Sequence, residues 1–125
     1  MYRYRHRPAY GSKKLLIELI PKNADKAFMD ALLSRLKELE LKIESVEDLW
    51  MNDEVILKCE SKDGKFLISK DVWDLVFIMD AENPNVINEI DRILNESDLF
   101  RKEIVDYSDY ELPKKGSIQS ELDNA

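Results

Sequence analysis

One cysteine and one histidine in 125 residues remove several kinds of chemistry at the outset. Cys59 has no second thiol to pair with, so neither an internal disulfide nor a four-cysteine zinc site can be built. His6 alone cannot supply a two-histidine ligand set, and the zinc-deaminase and zincin patterns need histidines that are missing. Glycine is nearly as scarce. Gly11, Gly64 and Gly116 stand far apart, and neither a P-loop nor a dinucleotide fingerprint can be assembled from them. Long apolar runs are also lacking, whereas a membrane-spanning helix needs about 20 apolar residues. The basic start of the chain is not followed by an apolar signal core with a small-residue cleavage site. These absences lead to the expectation of a cytoplasmic protein with no metal, no cofactor and no membrane association, and a lone free thiol agrees with that compartment.

Apolar residues make up 44% of the chain and charged residues 36%. That is too apolar for a disordered chain and implies one compact core beneath a well-solvated surface. The net charge of −7 conceals a division. Arg3, Arg5, Arg7, Lys13 and Lys14 give the first 14 residues +5 with no acid, while the other 111 hold 14 basic and 26 acidic side chains, a balance of −12. An acidic body of this kind repels nucleic acid and attracts basic partners at close range. Solubility alone is the other reading of the same charge.

The pattern along the chain predicts an α+β domain over residues 13–112. A basic Tyr/Arg arm (1–12), read as flexible, precedes it, although the strict Tyr/Arg alternation from Tyr2 to Arg5 also suits a short edge strand, and a flexible polar tail (113–125) follows. Lys14 to Ile20, closed by Pro21, reads as a buried strand. Asn23 or Asp25 can cap a helix to about Leu39, with Phe28, Leu32, Leu36 and Leu39 as its stripe. Leu39, Leu41 and Ile43 then alternate with polar residues, giving either a strand or a continuation of the helix to Ser45. A turn region from Glu47 to Asp53 follows. Glu54–Glu60 and Lys65–Ser69 flank Asp63-Gly64, a strong hairpin signal. Trp73 to Met79 reads as a central strand covered on both faces, with Trp73 in the core. Asn83-Pro84 opens a second helix; Leu99 and Phe100 are expected to tuck against the core, and Ile104-Val105 to add a short strand. The result is a mainly antiparallel sheet of 4–5 strands with two helices on one face, in the order β-α-(β)-β-β-β-α-(β).

No catalytic constellation stands out. Cys59 alternates with polar neighbours like an inward strand residue, so a small buried hydrophobe is the simpler reading beside that of a nucleophile. His6, read as part of a mobile arm, is a poor base for a nucleophilic triad. Asp63-Gly64 lacks the acid spacing of a calcium loop, and Asp74 and Asp80 lie roughly 20 Å apart along a strand. With 26 acids present, paired carboxylates carry no specificity. A non-enzymatic protein is expected.

Two acidic-aromatic clusters remain as candidate partner-binding surfaces. Asp106, Tyr107, Asp109, Tyr110 and Glu111 combine rigid aromatic area with carboxylates that suit arginine on another protein. Trp50 stands among Glu44, Glu47, Asp48, Asp53 and Glu54, and a tryptophan there serves either as a binding anchor or as a cover for the core edge. The expected function is a small acidic protein-binding module, of the inhibitor, immunity-type or adaptor kind, with a basic partner. The alternative is a nucleic-acid-associated accessory protein using Tyr2, Arg3, Tyr4, Arg5 and Arg7 to stack and neutralise a single strand. The arm can equally fold back onto the acidic body.

Overall fold

The computed structural model describes residues 2–49, 54–81 and 83–111. Among these residues, alternation of inward apolar and outward polar side chains builds seven strands, β1 (Tyr2–Pro8), β2 (Leu15–Ile20), β3 (Lys42–Leu49), β4 (Glu54–Ser61), β5 (Gly64–Lys70), β6 (Val76–Asp80) and β7 (Phe100–Lys102). They form one sheet in the order β3-β4-β5-β6-β2-β1-β7, antiparallel except for the β1–β7 pair. Two helices complete the α+β fold. In α1 (Lys26–Leu36) the side chain of Asp25 accepts from Phe28 N, and in α2 (Asn85–Asn95) Asn83 Oδ1 accepts from Asn85 N.

Both helices lie on one face of the sheet. Phe28, Leu32 and Leu36 of α1 and Val86, Ile87, Ile90, Ile93 and Leu94 of α2 share a core with Tyr4, Ile17, Leu19, Cys59, Phe66, Ile68 and Ile78. Arg35 Nη2 ties the helices together by donating to Ile93 O at 3.1 Å. The opposite face carries Arg3, Arg5 and Arg7 of β1, Glu18 of β2, Phe77 of β6 and Leu67 of β5. A single 3-10 turn, Tyr107–Tyr110, closes over part of that face.

Several expectations change. The sheet has seven strands rather than 4–5, because the segment read as an arm is β1, paired on both sides. Its arginines are held there by acids distant in sequence, which local hydropathy does not report. The last strand is Phe100–Lys102, and Ile104 lies outside it at 85% exposure, as Leu99 also faces solvent. Glu47 and Asp48 belong to β3, not to a turn. Trp73 is 78% exposed because β6 starts only at Val76. Asp71 Oδ1 accepts from both Trp73 N and Leu75 N, and this turn throws the indole outward before the strand begins. Trp50, Asp53 and the tail at 113–125 lie outside the described residues.

Candidate functional site

Strand β3 ends the sheet, and among the described residues it pairs on one side only, with β4. The pairing shifts register between Ile43 and Ser45, a bulge that leaves Glu44 as the extra residue. Beyond it Val46 lies opposite Leu57 and Asp48 opposite Val55, so Ile43, Val46 and Asp48 share the helix face. Ile43 is 42% exposed and Val46 59%. Beside them runs a groove of about 390 Å³ bordered by Met29 and Leu33 of α1 and floored by Val55, Leu57 and Ile68. At its margins Asp25 and Asp48 stand exposed, and the two lysines beside it, Lys26 and Lys70, pair with Asp30 at 2.8 Å and Asp74 at 3.7 Å. The apolar floor and charged rim are the composition of a contact patch.

The C-terminal acidic-aromatic segment is mostly engaged in holding the fold. Tyr110 is buried under Arg7, whose guanidinium lies 4.5 Å from its ring, and its carbonyl accepts from Gly11 N. Asp106 caps the 3-10 turn by accepting from Ser108 N and Oγ, which holds its carboxyl below the usual carboxylate range. Tyr107, Asp109 and Glu111 remain at the surface. Of the second cluster, Asp48 sits on the β3 edge. The two groups of residues lie in different parts of the fold and do not merge into one surface.

The residues proposed for stacking on nucleic acid are turned inward or paired. Tyr4 is fully buried, and Tyr2 packs edge-on against Phe28 at 4.9 Å and against Phe100 at 5.6 Å. Arg3 and Arg5 meet Glu103 at 3.2 and 3.1 Å, and Arg7 Nε donates to Glu18 at 3.0 Å. The basic segment thus spends its charge on the protein's own acids.

A polar cluster that the sequence gives no sign of joins β1, α2 and β7. Asp91 of α2 accepts from Tyr4 Oη at 3.0 Å and Lys102 Nζ at 2.9 Å, and His6 Nδ1 lies 3.3 Å away. Burial opposes the Asp91 charge, but the hydrogen bonds from His6, Lys102 and Tyr4 outweigh it and hold the carboxyl down at about 2. Burial and the same carboxylate push the Tyr4 phenol well above its ordinary range. His6 Nε2 is buried with no hydrogen-bond partner among the described residues. The cluster fastens the first strand to the second helix. Cys59 points into the core, where burial and the charge of Glu44 push its thiol up to about 11, so the reactive thiolate is suppressed at neutral pH.

No protein-family model, curated protein or solved structure matches this chain. Among the described residues no helix is long and apolar enough to cross a membrane.

In the sequence Ile43 reads only as part of a strand or of a continued helix, and nothing singles out Val46. A signal was present. Two aliphatics three residues apart inside a strand cannot share a face unless a bulge intervenes, and Glu44 between them is that bulge.

Proposed function

We propose that this protein is a non-enzymatic protein-binding module whose partner docks on the helix face of β3 and β4. The observation that carries the reading is Ile43 and Val46, aliphatic and exposed at 42% and 59%, standing beside the apolar groove along α1. Exposed aliphatics that adjoin an apolar concavity and carry a polar rim mark association sites more often than scattered surface residues do. The net charge of −7 favours a basic partner by steering its approach. The nucleic-acid alternative loses its main support because Tyr4 is buried and Arg5 and Arg7 are paired.

The test compares capture from native extract by the full chain and by an Ile43→Lys/Val46→Lys variant, with nuclease present. A protein held by the parent and lost from the variant, but retained by an Asp109→Asn/Glu111→Gln variant, supports the β3 surface. Equal capture by the parent and the lysine variant removes it. Loss with the Asp109/Glu111 variant instead moves the site to the C-terminal acidic turn.

A further inference from the structure

The sheet is wider than the helices that cover it. Seven strands enclose six spacings of about 4.8 Å, so the outermost strands lie about 29 Å apart. Two helices packed side by side cover about 20 Å. The difference, about 9 Å, is the packing distance of one more helix. The uncovered strip is not spread evenly. Helix α2 contacts β2, β5, β6 and β7, and α1 borders the groove with Met29 and Leu33. What remains bare among the described residues is the strip over β3 and β4, where Ile43, Val46, Val55 and Leu57 face the helix side.

We infer that this strip is the seat of an amphipathic helix from a partner protein, lying beside α1 with its apolar stripe on Ile43, Val46 and Leu57 and a basic flank toward Asp25 and Asp48. The inference rests on the reading that the β3–β4 surface binds a protein, and it names what that protein presents. The width of the strip fits a helix, and the groove between Met29, Leu33 and Leu57 receives side chains from its inner edge, in the manner of helix-in-groove recognition. With Lys26 and Lys70 of the same groove already paired to Asp30 and Asp74, Asp25 and Asp48 at the margins select lysine or arginine on the flanks of that helix.

Other occupants fit less well. Strand addition to β3 meets the Glu44 bulge, which interrupts the ladder an added strand needs. A second copy pairing β3 with β3 around Ser45 and Val46 would set Glu44 opposite Glu47, like charges in a sheet that already carries excess acid.

The inference is tested on the full-length protein with three synthetic peptides of about 14 residues. One carries leucines at helical spacing with lysines elsewhere, the second replaces those lysines by glutamate, and the third has the first's composition in strict alternation. The expected result is binding of the leucine–lysine helical peptide, with gained helicity in circular dichroism. Methyl shifts should appear at Ile43, Val46, Leu57 and Leu33, and affinity should fall about tenfold or more in the Ile43→Lys/Val46→Lys variant. An Ile104→Lys variant, altered at an exposed aliphatic elsewhere, should bind as the parent does.

Equal binding of the glutamate peptide, or shifts scattered away from β3, overturns the proposed occupant. Preferential binding of the alternating peptide with shifts at Ile43 and Val46 also overturns the helix but leaves the β3 surface as the binding site. If no peptide moves these methyls and the extract protein is captured equally by parent and variant, both readings fall. Sedimentation showing a dimer that Val46→Lys dissolves would give the strip to a second copy. Nuclear Overhauser contacts from residues 112–125 to the Val46 methyls would give it to this chain's own C-terminal segment.

Discussion

Arg7 bears its charge on the sheet face away from the helices and is nevertheless only 5% exposed. Its Nε donates to Glu18 at 3.0 Å and its Nη1 to Pro8 O at 2.9 Å, while Tyr110, Tyr10 and Phe77 surround the guanidinium at 4.5, 5.3 and 5.8 Å. Desolvating such a pair consumes most of its attraction, so its net contribution is small while both partners remain. Removing one is different, because Glu18 is buried and keeps only Arg5, at 3.6 Å. Arg7→Met is expected to destabilise by about 3 kcal/mol in urea unfolding. Adding Glu18→Leu to the same chain should restore most of that loss. Arg7→Lys should fall between, since an ammonium keeps the charge but loses the planar fork and the stacking. A double variant no more stable than Arg7→Met would show that aromatic packing of Arg7, not its carboxylate, holds the site together.

At the scale of elements, the end of α1 stores strain. After Leu36 the chain makes one 3-10 turn and then stops at Glu40, whose φ of 56° and ψ of 46° place it in the left-handed region. That conformation lets Glu40 N donate to Lys37 O at 2.9 Å and starts β3 in its own direction, but it costs a side-chain-bearing residue about 1 kcal/mol. Glu40→Gly is expected to raise stability by up to about 0.5 kcal/mol in thermal unfolding, after the greater freedom of glycine in the unfolded chain is discounted. Asp74→Gly, at φ of 60°, should gain less, because aspartate tolerates this region better and pairs with Lys70 at 3.7 Å. The elements built from local rules were the legible ones. The stripe of Phe28, Leu32 and Leu36, the Asp25 cap and the Asp63-Gly64 hairpin needed only neighbours in sequence. Strand β1 was legible only as the short Tyr/Arg alternation from Tyr2 to Arg5, because its inner face is Tyr2, Tyr4 and His6 rather than aliphatic. Its outer face is three arginines whose acids lie 11 to 100 residues away. The β3 surface was hidden for another reason. Whether Ile43 and Val46 are core or surface depends on which strand is outermost, and local pattern carries no strand order.

For the whole molecule, the sheet order makes the N-terminus a structural centre and not an appendage. Strand β1 lies between β2 and β7, and among the described residues it is the only partner β7 has in the sheet. Tyr4 fills the core and reaches Asp91 of α2, and Gly11 N holds the C-terminal turn through Tyr110 O. A chain beginning at Ser12 would lose Tyr4, a change of about 3–5 kcal/mol for a buried aromatic. Glu18 would be left without Arg5 and Arg7, at a similar cost. Either term is a large part of the 5–15 kcal/mol that holds an ordinary domain together, and the two act on different faces of the sheet. The expected outcome is a chain with no cooperative thermal transition and collapsed amide dispersion, even though every residue of both helices is still present. If the shortened chain instead kept its transition within a few degrees of the parent, β1 would be a detachable strand, and its three arginines would be free to act on a partner. The same experiment therefore decides whether the basic segment completes the sheet or serves as an arm, while the Ile43→Lys/Val46→Lys variant decides where the partner docks.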